Sequence, residues 1–266
     1  MIEFNEIHRS AILASIEASK VIMDFYRSTV KIDIKSDGSP VTQADLAASE
    51  IISKRLSSTN IPILGEELKN KDFTVRSKWT KNWCVDPLDG TKMFIQKNDE
   101  FVVSIALIEN HKPIFGILAS PVQERIILGG VGLGVYIFDF NQFESLTEWR
   151  KIEPFAQMNQ PMVVACSRSF GKDNVAYAKS IEEEFGVFEY LKMGSALKFF
   201  ELAEGKADMY VRLGPTMEWD IAAGQAILEE LGGEIRSLET NERLSYNKES
   251  LFNPPFVAKT KALINP

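Results

Sequence analysis

Between residues 5 and about 26, the apolar residues Ile7, Ala11, Ile12, Ala14, Ile16, Ala18, Val21, Ile22 and Phe25 recur at helical spacing. That pattern predicts one long amphipathic helix whose apolar stripe packs on a sheet. Residues 30–35 alternate as a strand does, and the turn cluster Ser36-Asp37-Gly38-Ser39-Pro40 cannot continue it. A second helix is expected to follow, with Thr42 as N-cap and Asp45 three residues on in a capping-box variant, running through Ala47, Ile51, Ile52 and Leu56. Ile61-Pro62-Ile63-Leu64 reads as a short strand ending at Gly65-Glu66-Glu67. The polar stretch 68–80 is expected as a mobile loop, leading to a strand that runs into Asp86. Residues 101–108 and 113–119 form a strand pair around a turn at 109–112, and 125–130 and 134–138 extend a mostly antiparallel meander.

The second half changes character. Residues 162–166 form a buried strand leading into Ser167-Arg168-Ser169, and 173–185 a helix. A strand at 189–192, a helix at 196–204 ended by Gly205 and a strand at 207–212 follow. A helix at 219–231 is closed by Gly232-Gly233, with a short strand at Glu234-Ile235. Strands alternating with helices indicate α/β layering. The boundary between two closely packed lobes, 1–150 and 151–266, is expected in the polar, aperiodic stretch 140–160.

Composition narrows the class. The chain has 266 residues, 45% hydrophobic and 25% charged, as in a globular protein with a proper core. A formal net charge of -7 argues against a nucleic-acid polymer as partner, but a small anion stays open, because carboxylates with bound metal can be locally positive. Cys84 and Cys166 lie far apart and read as reduced, buried thiols, and two histidines cannot build a histidine-rich zinc site. No stretch is long and apolar enough to span a membrane and the N-terminus lacks a signal-peptide pattern, so a cytoplasmic location, or a peripheral one at the inner membrane, is expected.

Candidate chemistry centres on Trp83-Cys84-Val85-Asp86-Pro87-Leu88-Asp89-Gly90-Thr91. A carboxylate pair on a rigid turn at a strand end suits a hard divalent cation, the glycine admits a bound anion to the backbone, and the threonine offers a hydroxyl. The same residues also make an ordinary Asp-Pro and Asp-Gly turn, and taken alone the two readings stand even. Further acidic residues share the placement. Glu66 and Glu67 follow a strand, Asp220 opens a helix and Asp45 lies in the first turn of another. Each could be a solvated pair or a favourable charge at a helix start. Converging on one α/β crevice, they would repel unless cations sat between them, as in a two-metal phosphoryl-transfer site.

In order and spacing, Gly65-Glu66-Glu67, Asp86-Pro87-Leu88-Asp89-Gly90-Thr91 and Trp219-Asp220-Ile221-Ala222-Ala223-Gly224 resemble the three signatures of the inositol monophosphatase superfamily of lithium-sensitive, Mg²⁺-dependent phosphatases. Within it the chain is most similar to the CysQ-type 3'(2'),5'-bisphosphate nucleotidases. That likeness is carried by the stretch from Ser36 to Asp45, by Thr91-Lys92-Met93-Phe94-Ile95, Gly194-Ser195-Ala196-Leu197-Lys198-Phe199, Leu213-Gly214-Pro215-Thr216 and Glu249-Ser250-Leu251-Phe252-Asn253-Pro254. Gly65 and Met93 depart from the usual pattern, at positions where Ser and Glu or Gly are common.

The resemblance implies a layered αβαβα fold of the inositol monophosphatase and fructose bisphosphatase type, with a metal-binding lobe at 1–150 and an α/β lobe at 151–266 completing the active site. It implies two or three Mg²⁺ ions: Glu66, Asp86 and the Leu88 carbonyl at one, and Asp86, Asp89 and Asp220 at the second. Asp45, with Glu66 and Thr91, would position or deprotonate the attacking water. The Gly90 and Thr91 backbone N–H groups would hold the phosphate, while Ser195 and Lys198 would contact the nucleotide, Lys198 meeting the second phosphate. Arg168 between its two serines is a further candidate. The implied reaction is hydrolysis of the 3'-phosphate of adenosine 3',5'-bisphosphate to AMP, in sulfur metabolism, by a monomer or homodimer. Alternatives are a phosphatase acting on inositol monophosphate, histidinol phosphate or fructose 1,6-bisphosphate, and a metal- or nucleotide-sensing homologue without activity.

Overall fold

The computed structural model describes residues 4–28, 31–35, 38–168 and 175–264; Thr29, Val30, Ser36, Asp37, Ser169 and the first two residues of the helix expected from 173 lie outside that range. The chain opens with α1 (Glu6–Tyr26), capped by the Asn5 side chain, which accepts from the backbone of Ile7 and His8. A hairpin of β1 (Ile32–Ile34) and β2 (Pro40–Thr42) leads into α2 (Gln43–Ser57), with the expected Thr42–Asp45 capping box.

A seven-stranded sheet then forms from β3 (Ile63–Gly65), β4 (Lys81–Asp89), β5 (Val102–Glu109), β6 (Lys112–Ser120), β7 (Arg125–Gly130), β8 (Gly134–Asp139) and β9 (Arg150–Ile152). It is antiparallel except at its edge, where β3 lies parallel to β4. Two short helices interrupt the order, α3 (Phe73–Arg76) between β3 and β4, and α4 (Thr91–Ile95) between β4 and β5. The second half runs β10 (Met162–Cys166), α5 (Val175–Phe185), β11 (Phe188–Lys192), α6 (Lys198–Ala203), β12 (Met209–Arg212), β13 (Thr216–Met217), α7 (Glu218–Glu230), β14 (Glu234–Ser237), β15 (Phe252–Asn253), β16 (Phe256–Lys259) and α8 (Lys261–Ile264). Five of its strands make a mixed sheet in the order β11-β10-β12-β16-β14.

Side-chain alternation turns these elements into layers. Val103, Ile105 and Leu107 of β5 join the core under α1 and α2, whereas Val102, Ala106 and Ile108 face the core that holds α6 and α7. That second core also takes Ala165, Tyr210, Ile235 and Phe256 from the five-stranded sheet, whose opposite face packs Val164, Met209 and Val211 with Ile181 of α5 and Leu263 of α8. The order is therefore helix, sheet, helix, sheet, helix, the αβαβα arrangement expected. Because both faces of β5 are covered, it reads as a nearly continuous apolar run, with Ser104 the one polar residue before Glu109.

Two local expectations are corrected, and one stretch gains an element. The polar stretch 68–80 contains α3 and is tied down: Arg76, 4% exposed, donates to Asn247 Oδ1 and to the Lys248 and Glu249 carbonyls. Residues 140–160 hold β9, whose Arg-Lys-Ile sequence is too short to show a period. The helix expected from Ala196 begins at Lys198, because Ser195 sits at φ +49°, outside helical space. No described helix is long and apolar enough to cross a membrane.

Candidate active site

Parallel pairing at the sheet edge sets two carboxylates side by side. Gly65 is in register with Val85, so Glu66 and Asp86 follow directly on paired positions where the ladder between β3 and β4 ends, and the Glu66 N–H donates to the Val85 carbonyl at 3.1 Å. A Cβ on Gly65 would come within 3.2 Å of Leu68 and 3.3 Å of the Val85 oxygen, a tight but not closed position. Beyond Asp86 the ladder with β5 is interrupted up to Asp89, and Asp86 Oδ1 accepts the Leu88 N–H at 2.9 Å, fixing the turn. Gly90, at φ +104°, then starts α4; a Cβ there would lie 2.7 Å from the Glu100 carbonyl.

The third carboxylate arrives on α7. Its N-terminal end is held to the sheet by Ser104 Oγ, which donates to the Trp219 carbonyl at 2.9 Å. Asp220 Oδ2 in turn accepts the Met217 N–H at 2.9 Å. One oxygen from each of Glu66, Asp86 and Asp220 lies within 4.8 Å of the others. Asp89 lines the same cleft, but its Oδ2 accepts the Ala196 N–H at 2.5 Å, which ties it to the turn before α6.

Electrostatics test whether this set fits a cation. Burial, then the charges of Glu66, Asp89 and Asp220, push the Asp86 carboxyl well above its usual range. Burial and the Asp89 charge do the same to Asp220. Asp89 rises to about 6, mainly through burial, with Lys198 and the Ala196 N–H working against the rise. Crowded, buried carboxylates of this kind are stabilised by a cation, and an all-oxygen donor set suits Mg²⁺. The Leu88 carbonyl stands beside them and lies 3.2 Å from Thr91 Oγ1.

Next to the cluster sits a hydroxyl–carboxylate pair. Thr91 Oγ1 donates to Asp45 Oδ1 at 2.8 Å, while Asp45 Oδ2 accepts from the Thr42 N–H at 2.7 Å and the Thr42 hydroxyl at 2.6 Å. Burial raises the Asp45 pKa, and the hydrogen bonds from Thr42 and Thr91 hold it back. The cleft encloses about 460 Å³ and is lined by Glu66, Asp86, Leu88, Asp89, Gly90, Thr91, Ser195, Lys198 and Asp220 among others, so the residues expected to bind metal and substrate meet in one place.

Lys198, the first residue of α6, turns into the protein rather than toward solvent. It is 3% exposed, and Nζ donates to the Met193 and Ser195 carbonyls at 3.2 and 2.5 Å. Burial lowers its pKa to about 8 against the pull of Asp89. Arg168 forms a two-pronged ion pair with Glu100, whose Oε2 also accepts the Gly194 N–H at 2.7 Å. Met93 packs here too, its Cγ 2.8 Å from where a Cβ on Gly194 would stand.

Two basic residues were not singled out from sequence. Lys35 bonds Glu66 Oε1 at 2.7 Å and also pairs with Glu67. Burial would lower its pKa, and these two bonds outweigh that and raise it. Arg212, at the end of β12, lines the cleft. A basic residue at a strand end carries no signal that separates a site from a solvated face.

The inositol monophosphatase family model matches residues 4–264. The chain is 32% identical over 262 residues to the 3'(2'),5'-bisphosphate nucleotidase CysQ of Haemophilus influenzae, covering 97% of this chain and 94% of that protein. Against the protein of the same name from Escherichia coli K12 it is 37% identical over 244 residues, covering 90% and 94%. Among solved structures, CysQ from Bacteroides thetaiotaomicron superposes with a TM-score of 0.83 at 36% identity, covering 95% of this chain and 96% of that one. The Thermotoga maritima IMPase shares the fold, with a TM-score of 0.75 at 20% identity over 96% and 92% of the two chains. A match spanning nearly every residue, with the carboxylates that the signatures anticipated gathered in one cleft, places this chain in the inositol monophosphatase family.

Proposed function

We infer that the chain is a Mg²⁺-dependent 3'(2'),5'-bisphosphate nucleotidase that hydrolyses the 3'-phosphate of adenosine 3',5'-bisphosphate to AMP and phosphate. The observation that carries this is the meeting of Glu66, Asp86 and Asp220 beside the Thr91–Asp45 pair, in a chain similar over nearly its whole length to proteins named for that activity.

When bound, Mg²⁺ supplies the Lewis-acid charge that activates water and stabilises the leaving oxygen. Glu66, Asp86 and the Leu88 carbonyl would hold one ion, and Asp86, Asp89 and Asp220 a second. Thr91 orients the attacking water, and Asp45 takes up its proton. Two hydrogen bonds from Thr42 leave Asp45 Oδ1 to the Thr91 hydroxyl, so the proton path runs in one direction. Gly90 and Thr91 receive the scissile phosphate at the start of α4. Ser195 and Lys198 hold the nucleotide, the buried ammonium adding positive charge that acts on Asp89. Incubation with adenosine 3',5'-bisphosphate and Mg²⁺ is expected to yield AMP and phosphate in equal amounts. Appearance of adenosine 3'-phosphate, or binding with no release, contradicts the reading.

A further inference from the structure

Two positions before Asp220, α7 opens with a second carboxylate that takes no part in the cluster. Glu218 is fully buried, and one short segment occupies both its oxygens. Oε2 accepts the Asn247 N–H at 2.6 Å, while Oε1 accepts the Lys248 N–H at 3.0 Å and Lys248 Nζ at 2.7 Å. The residues that follow hold the neighbouring peptides. The Leu251 carbonyl accepts the Glu218 N–H at 2.9 Å, and Asn253 Nδ2 donates to the Met217 carbonyl at 2.7 Å. Met217 is the residue whose own N–H donates to Asp220 Oδ2.

The gripping segment is itself fixed. Arg76 donates to Asn247, Lys248 and Glu249, and Asn247 Nδ2 returns a bond to the Arg76 carbonyl at 2.7 Å. The Tyr246 hydroxyl donates to Gln225 of α7 at 2.6 Å. Arg76 ends the stretch that follows Glu66, and Asn70 in that stretch bonds the N–H and carbonyl of Gly65 at 3.0 and 2.8 Å. Bonds and short backbone runs thus lead from the residue beside Glu66 to the peptide that orients Asp220. An apolar side chain could fill the space of Glu218 without burying a charge. What the carboxylate adds is direction, because its three donors are placed by a braced segment. Residues two apart in a helix stand about 200° around its axis, so the first turn cannot rotate without moving both Glu218 and Asp220.

We propose that Glu218 is a positioning residue for Asp220: gripped by residues 247 and 248, it sets the rotation of the first turn of α7 and so the place of the Asp220 carboxylate in the cluster. This rests on the reading of the chain as a metal-dependent phosphatase. Partners that orient metal ligands are worth roughly 10- to 100-fold in metal affinity.

The test measures Mg²⁺ binding by calorimetry, and the Mg²⁺ needed for half-maximal activity, in the wild type, Glu218→Gln, Lys248→Met and Val164→Ala. The last is a cavity variant in the separate core beneath α5, included as a purely structural loss. Glu218→Gln keeps the volume but turns an amide toward one of the donors. It should weaken Mg²⁺ binding by roughly 10-fold or more, with activity largely restored at saturating Mg²⁺. Val164→Ala should lower the melting temperature and leave Mg²⁺ affinity at the wild-type value. Lys248→Met keeps the two backbone bonds, so it should weaken Mg²⁺ binding in the same direction but less, and it decides the matter if Glu218→Gln does not fold. Wild-type affinity in the deciding variant, or an equal loss in Val164→Ala, overturns the role of Glu218 and leaves the phosphatase reading standing. A wild type that neither binds Mg²⁺ nor releases phosphate overturns both.

Discussion

Asp86 and Asp89 sit three residues apart in one turn, yet their surroundings give them different tasks. Asp86 is enclosed by Glu66, Asp89 and Asp220, so its charge needs a cation close by. Asp89 is shared between the cluster, the Ala196 N–H and the field of Lys198, which keeps its pKa near 6. Asp89→Asn preserves the shape and the hydrogen bond from Ala196 but removes the charge. It is expected to reduce turnover to near background while the circular dichroism spectrum stays that of the wild type; retained activity would remove Asp89 from the metal site. Lys198 yields a pH prediction. Burial lowers its pKa to about 8, so its ammonium loses charge as pH rises through that value rather than near 10.5. Calorimetric affinity for adenosine 3',5'-bisphosphate should therefore decline above pH about 8 in the wild type, and Lys198→Met should flatten the profile at the weaker level. At this scale the carboxylates were legible, because acidic residues at strand ends and helix starts stand out against apolar runs. Lys35 and Arg212 were not, since their roles depend on which carboxylates the fold sets opposite them.

Among the elements, α7 carries the tightest constraints. It lies so close to β6 that a Cβ on Gly116 would stand 2.2 Å from the Ala223 carbonyl, and Gly224 is pressed against the Phe199 ring of α6. The helix bearing Asp220 is thus set on the sheet by the absence of side chains. Gly116→Ala must push α7 outward and carry Asp220 with it. The expected effect is a loss of about 1–3 kcal/mol of stability, together with weaker Mg²⁺ binding, read from the melting temperature and from a Mg²⁺ titration of activity. An unchanged Mg²⁺ requirement in a destabilised Gly116→Ala would show that Asp220 does not depend on this contact. Long elements such as α1, α2, β5 and α7 were readable from periodicity. Several short ones were not: β9, β13, β15 and α3 have two to four residues each and owe their form to their partners, whereas the short β3 and β14 were marked by the apolar residues and glycines around them. The network that joins Arg76 to residues 247–249, and those to the buried Glu218 at the start of α7, links segments about 170 positions apart and leaves no local trace.

At the scale of the whole molecule, two sheets share one helical layer, and the cleft forms where the ends of β3, β4 and β12 meet the starts of α4 and α7. The layering was partly legible. The apolar run of β10, and that of β5 broken only by Ser104 before its last residue, imply strands covered on both faces, and the family resemblance supplied the stacking order that periodicity alone leaves open. The inner place of β16, antiparallel between β12 and β14, was not foreseen, because a four-residue strand gives no sign of which earlier strands it pairs with. As proposed from the site, this assembly is a metal-dependent phosphatase tuned to a nucleotide with two phosphates. The most direct test is phosphate release, as kcat/KM, from adenosine 3',5'-bisphosphate, inositol monophosphate, histidinol phosphate and fructose 1,6-bisphosphate, each with and without Mg²⁺. The predicted result is the highest value on the bisphosphate nucleotide and no release without Mg²⁺; a preference for any of the other three, or release that persists without the metal, would contradict it.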